Sequence, residues 1–315
     1  MNISKKALMS VLMALTPLVA MAQPYYHIMK QDDGKLTEEA MYDGQTYKVK
    51  IDMEKPVEKP EEVKPEEVKP ECAIGNKITI PSCGLPYKSF YFTNKGNIYY
   101  DASKRKLFFE ETQLDYPKKY SENHRGHFRW GKSLSECLGN GSSYYSEYNP
   151  PRNSDFYFAN PANLPKLQED LGNEKWTVLN SCEWGYVLRN LGERWEVDGK
   201  TCFLIDTTPD KSLLKAIETK NGGKTMSKED FFEYEAQGLV CLPPTGHAPY
   251  FYRDDFWNQG TEGDYWTCTP WGDDYDSDRD FKKYATAAEF STNSSGLIGM
   301  YYGTYNAVRL VILAD

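Results

Sequence analysis

The chain has 315 residues, 14% of them aromatic with 24 tyrosines, and a formal net charge of -9. Such an acidic chain repels phosphate backbones and lacks the basic stripe that nucleic-acid binding requires, so nucleic acid is not expected as a partner. The mean hydropathy of -0.69 is low, yet the aromatic content can build a sizeable core, because tyrosine and tryptophan serve as both packing and wettable surface.

Lys5 and Lys6 precede an apolar run from Ala7 to Met21 that closes on Ala20-Met21-Ala22, the pattern of a signal peptide (residues 1–22) cut before Gln23. Its removal takes away two lysines and no acid, moving the formal charge from -9 to -11. A membrane anchor needs about 20 apolar residues. No later run supplies them and no cysteine stands at the cut, so an exported protein without a transmembrane segment is expected, in the periplasm, at the cell surface or outside the cell.

Residues 23–53 hold strand-like runs separated by the turn pairs Asp33-Gly34 and Asp43-Gly44, a β-hairpin-like segment too short to bury its own core. Residues 54–71 read EKPVEKPEEVKPEEVKPE. Four prolines among charges of both signs predict an extended linker of about 55 Å, either a stalk or an unstructured connector.

Residues 74–315 read as one domain. Aromatic strands are expected at 90–101 and 106–111, followed by irregular chain to 133 and a long surface loop from Leu134 to Pro165. Asn180 and Glu183 form a capping box ahead of Trp184, Val187, Leu188 and Leu191 at helical spacing, which predicts a helix over 181–191 stopped by Gly192. A second helix is expected from Ser227 to Gly238, with strands at 201–206, in GLVCLP, in YWTCT and in the terminal AVRLVIL.

Seven cysteines (72, 83, 137, 182, 202, 241 and 268) lie in the exported part. Cys72 with Cys83 is the favoured pair, closing a short loop around Lys77–Ile80 and contributing roughly 2 to 3 kcal/mol. Cys241 and Cys268 sit in apolar strands, where a small buried thiol is an equal explanation. No CxxC occurs, so redox catalysis and zinc ribbons have no support.

Asp274, Asp276, Asp278 and Asp280 alternate beside Asp273, a density of hard oxygen ligands that suits calcium, the one cofactor considered. An EF-hand would need Gly at Arg279 and Glu at Ala285, and a solvated loop is the plain alternative. His124 and His127 in HRGH could offer two imidazoles to a metal only on a helix, which Gly126 argues against; His247 is expected as a loop hydrogen-bonder. No catalytic motif stands out.

Two aromatic clusters interleaved with polar residues are the candidate ligand surface: Tyr144, Tyr145, Tyr148, Phe156 and Tyr157, and then Tyr250, Phe251, Tyr252, Phe256, Trp257 and Trp271. Rigid rings with polar rims suit a carbohydrate or protein ligand. The same rings could instead fill the loop-rich half of the domain.

FYFTNKGNIYYD, KLFFEETQLDY and FRWG, followed by WTVLNSCEW, SKEDFFEYEAQGLVCLPPTG, GDYWTCTP and AVRLV, resemble the module of a group of secreted Bacteroidetes proteins related to the Fibrobacter succinogenes major paralogous domain, over about residues 85–313. The resemblance implies an α+β, C-type-lectin-like fold with short twisted antiparallel sheets, two helices and long loops. It also implies architectural roles: Trp184 as the helix knob, Trp266 beneath it, Pro243 and Pro244 ending a strand, and Arg309 pairing inward.

The sugar-binding and formylglycine-generating branches of that fold carry motifs that this chain lacks, apart from a partial match at Trp257-Asn258-Gln259. The expected function is therefore a non-enzymatic binding or adhesion module. The alternatives are a structural component of a surface appendage or envelope assembly, and a hydrolase or modifying enzyme of the same fold.

Overall fold

Period-two patterning and Asp-Gly punctuation organise the start of the chain. In the computed structural model, which describes residues 28–32, 35–42, 45–50, 69–82, 85–116, 121, 123–139, 156–249, 256–271 and 284–314, the chain divides into two units, Met1–Val68 and Lys69–Asp315. The signal-like segment and most of the proline-rich run lie outside the described residues.

The first unit contains an antiparallel meander of β1 (Ile28–Asp32), β2 (Lys35–Tyr42) and β3 (Gln45–Lys50). Asp32 pairs with Lys35 and Tyr42 with Gln45, so each connection is two residues long, the length that Asp-Gly turns favour.

The second unit opens with β4 (Ala73–Ser82), β5 (Leu85–Thr93), β6 (Ile98–Asp101) and β7 (Lys106–Phe109). Then come α1 (Leu134–Cys137), α2 (Leu164–Leu171), β8 (Trp176–Thr177), α3 (Ser181–Asn190), β9 (Gly192–Val197) and β10 (Lys200–Asp206). The remainder is α4 (Leu213–Asn221), β11 (Thr225–Met226), α5 (Lys228–Glu235), β12 (Leu239–Leu242), β13 (Glu262–Pro270), β14 (Tyr284–Ser291), β15 (Ser295–Tyr301) and β16 (Val311–Leu313).

The architecture is α+β, with several short sheets that are antiparallel apart from the β9–β11 pair. Their orders are β4-β5-β16-β8, β11-β9-β10-β12, β13-β14-β15 and β6-β7. The last strand pairs with the second strand of the unit, Val311 facing Phe92, and on its other edge with β8, so the two ends of the unit close in one sheet.

Five helices are present among the described residues, where two were expected. Helix α3 carries the full capping box, with Asn180 accepting from the Glu183 amide and Glu183 from the Asn180 amide. Ser227 caps α5 through the Asp230 amide. Of the three extra helices, α2 and α4 have no side-chain N-cap bond, and α1, capped by Ser133, is only four residues long.

Alternation along β13 separates two cores, because adjacent strand residues face opposite ways. Tyr265 joins Trp184, Val187 and Leu188 of α3 and Phe90 and Phe92 of β5. Trp266 joins Trp130, Phe128, Phe158 and Trp176 on the other side. Trp266 therefore does not lie beneath Trp184, as the resemblance implied; Tyr265 does, with ring centres 6.2 Å apart. A third core, with Trp195, Leu214, Ile217 and Phe231, lies under α4 and α5.

The stretch 134–165 is not one surface loop. Leu134–Cys137 is helical, and Phe156, Tyr157 and Phe158 are buried in the core. Arg309 is fully buried, donating from Nη2 to Thr93 O at 3.0 Å and Gln113 Oε1 at 2.7 Å.

Cys72 is a free thiol, so it does not form the expected bridge to Cys83, which lies outside the described residues. Cys137, Cys202, Cys241 and Cys268 are also free, whereas Cys182 in the first turn of α3 is disulfide-bonded. A tie at Cys182 joins α3 to another part of the chain. Cys72 could only have closed a local hairpin.

Candidate functional site

Beyond β12, Pro243 and Pro244 cannot donate to a ladder, and the strand ends there. The chain then folds back along the start of β13. Gly246 has φ +60, and a Cβ on it would stand 2.1 Å from Trp257 O, so only glycine allows this approach. The Gly246 amide donates to Glu262 O at 2.8 Å, and His247 and Trp257 exchange backbone bonds of 3.2 and 2.8 Å. These bonds fix His247 against the first residues of β13.

Glu262 and Asp264 stand two apart on β13 and so point to the same face. Glu289 sits opposite Asp264 on β14. His247 Nδ1 lies 2.9 Å from Asp264 Oδ2 and 3.6 Å from Glu262 Oε1. The other Glu262 oxygen accepts from Asn258 Nδ2 at 3.1 Å. Asp264 is fully buried, and among the described residues its Oδ1 has no hydrogen-bond partner.

The electrostatics follow from this crowding. Burial pushes the Asp264 carboxyl up to about 7, with Glu262 adding to the rise and His247 opposing it. Burial disfavours the His247 imidazolium, but the bond to Asp264 and the charges of Asp264, Glu262 and Glu289 outweigh it and raise its pKa. Burial and the Glu262 charge also raise Glu289.

His127 stands behind this group, fully enclosed, with Nε2 3.2 Å from Thr245 O and its ring 4.4 Å from that of Phe256. Burial holds its pKa down at about 4, so at neutral pH it is an uncharged wall of the site. Trp257 closes the outer side. It is 48% exposed, and its ring meets His247 edge to face at 5.8 Å.

Of the expected ligand residues, Trp257 belongs to this group. Trp271 does not: it follows the far end of β13, about 26 Å along the strand from Glu262. Its indole lies where a side chain on Gly299 would be, with ring atoms 2.6 to 2.9 Å from that position. The two tryptophans therefore do not share one platform. Phe156 and Tyr157 are core residues. Tyr144, Tyr145, Tyr148, Tyr250 and Tyr252, and the acidic set Asp274, Asp276, Asp278 and Asp280, lie outside the described residues.

The two histidines of HRGH diverge. His124 bonds Glu110 at 2.7 Å and stacks on Tyr99 at 3.8 Å, away from the partners of His127. Neither Glu262, Asp264 nor Glu289 stood out in the sequence. The only signal was the Glu-Gly-Asp alternation, whose glycine makes room for Phe290: a Cβ on Gly263 would stand 2.3 Å from that ring.

A separate cavity of about 170 Å³ is lined by Leu114, Tyr116, Lys200, Cys202, Lys228 and Pro244. It is smaller than the roughly 300 Å³ from which organic-ligand pockets begin. No helix among the described residues is long and apolar enough to cross a membrane. Comparison with models of protein families, with curated proteins and with solved structures finds no match to this chain.

Proposed function

We propose that residues 74–315 are an exported, non-enzymatic binding module of C-type-lectin-like fold, related to the major paralogous domain, that engages a carbohydrate or protein ligand through the surface around Trp257. Half-exposed Trp257 carries this reading. Its backbone is pinned to His247, and carboxylates and an amide stand beside it. A fixed indole offers an apolar face to a sugar ring or a peptide side chain at little cost in conformational entropy, and Glu262 and Asn258 supply hydrogen bonds at its rim. Export rests on the charged, apolar and small-residue pattern of residues 1–22.

The test is a glycan and mucin array probed with the exported chain and with Trp257→Ala. Saturable binding that falls roughly tenfold or more in the variant supports the reading. Silence of the wild type on glycans and mucins, or binding that the variant retains in full, counts against it.

An enzyme of the same fold is the second reading, carried by a carboxyl held at about 7 beside a histidine. It ranks second because Asp264 is fully buried, and a proton-transfer group must reach its substrate.

A further inference from the structure

We propose that His247, Glu262 and Asp264 are the three protein ligands of a divalent transition-metal ion of the zinc or manganese class. The proposal does not depend on what Trp257 binds. One ligand atom from each residue can be chosen so that all lie within 4.8 Å of one another. Around one ion with bonds of about 2.1 Å, neighbouring ligand atoms sit roughly 3.0 to 3.4 Å apart, from octahedral to tetrahedral geometry. The observed 2.9 and 3.6 Å from His247 Nδ1 to Asp264 and Glu262 bracket that range. Little movement is needed to close on a cation.

The second observation is the state of Asp264. Its side chain is wholly buried, yet Oδ1 has no donor among the described residues. The acidic Glu262 stands beside it, and two carboxylates cannot satisfy one another without a proton or a cation between them. The Asn258 amide donates to Glu262 Oε2, and the imidazole Nδ1 bonds Asp264 Oδ2. Glu289, across the sheet, adds negative charge, and His127 behind is held neutral by burial.

The donor set selects the metal class. One imidazole nitrogen with two carboxylate oxygens suits zinc, manganese or cobalt, whereas calcium and magnesium prefer oxygen alone. The metal takes the Nδ1 lone pair: an imidazolium releases its Nδ1 proton to solvent and keeps the one on Nε2, and a neutral Nδ1–H ring exchanges tautomer so that Nε2 carries the proton. The Glu262 and His247 side chains are 17% and 15% exposed, so the ion can enter from the Trp257 side and keep a position for water or for a ligand atom. The fixed backbone at Gly246 and Gly263 holds the ligands in place without the metal.

The experiment is a titration of the chelator-treated full chain with cobalt, followed by visible absorbance, with zinc as competitor and calcium as control. One equivalent of cobalt is expected, with ligand-field bands, no sulfur-to-cobalt charge-transfer band and displacement by zinc. Glu262→Gln and His247→Gln should each weaken binding roughly tenfold or more. Glu262 reaches solvent, so the first variant carries the test if the second does not fold. No saturable binding, a thiolate band, binding of calcium alone, or unchanged affinity in folded Glu262→Gln would each overturn the assignment.

Discussion

Tyr265 and Trp266 are consecutive on one strand, and each ties a different core to a loop carbonyl. The Tyr265 hydroxyl donates to Pro243 O at 2.7 Å, and the Trp266 indole donates to Phe128 O at 2.6 Å. Strand β13 is thereby held on both faces, and its first residues present Glu262 and Asp264 in fixed positions.

Removing either tie should be measurable. Tyr265→Phe removes one of the two donors to Pro243 O, which keeps the Thr245 amide, and leaves the buried Asn97 amide without its acceptor; it should cost about 1 to 3 kcal/mol. Trp266→Ala also leaves a large void beside Phe128 and should cost about 3 to 5 kcal/mol. Urea denaturation checks both. A Trp266→Ala loss no larger than that of Tyr265→Phe would contradict the packing described.

The buried charge of Arg309 is held by a neutral intermediary. Gln113 accepts from Arg309 and from the Cys241 amide with Oε1, while its Nε2 donates to Glu235 at 2.7 Å. Burial lowers the Arg309 pKa to about 10, still charged at neutral pH, and raises that of Glu235. Gln113→Leu would leave the guanidinium with Thr93 O and should cost about 3 kcal/mol or more. Arg309→Met should remove much of that penalty in the double variant, because the charge goes with it. A double-mutant cycle in which the two losses simply add would reject this coupling.

The legible parts of the fold were those whose signals are local. Helix α3 announced itself through Asn180, Glu183 and an apolar face at i, i+3 and i+4, and the structure uses all of them. Strand β14 was invisible because most of its buried positions are small: Ala285, Ala287 and Ala288 stand where a strand pattern normally shows branched or aromatic residues, and β15 was invisible because Met300 is its one buried residue. Phe156 and Phe158 hid in a stretch rich in Ser, Asn and Pro. His247 and Asp264 are brought together by a glycine-controlled loop reversal, and neither periodicity nor motif spacing encodes such a meeting.

The cysteine pattern gives a third prediction. Ser82 Oγ donates to Glu183 Oε1 at 2.5 Å and accepts from Asn180 Nδ2 at 3.1 Å, so the end of β4 lies against the first turn of α3. Cys182 is disulfide-bonded, and five of the seven cysteines are free thiols. Non-reducing peptide mapping should find the Cys182 peptide linked to the Cys83 peptide and Cys72 open to alkylation. A Cys72–Cys83 peptide would refute it.

The pH dependence of stability should carry the mark of His127. Its imidazole titrates near 6.5 when unfolded and near 4 when folded, so between those values the unfolded chain binds the extra proton. Acidification from pH 6.5 therefore removes stability, by about 3 kcal/mol on passing pH 4. Asp264 works in the opposite sense, because a carboxyl raised to about 7 favours the folded state as pH falls below 7. The two effects partly cancel in the wild-type chain. His127→Gln keeps a donor for Thr245 O and removes one of them. In chelator, urea midpoints at pH 7, 5.5 and 4 should move progressively in favour of the variant relative to wild type. A difference that stays constant across that range would mean that His127 takes up its proton as readily folded as unfolded, and the neutral wall behind His247 would have to be abandoned.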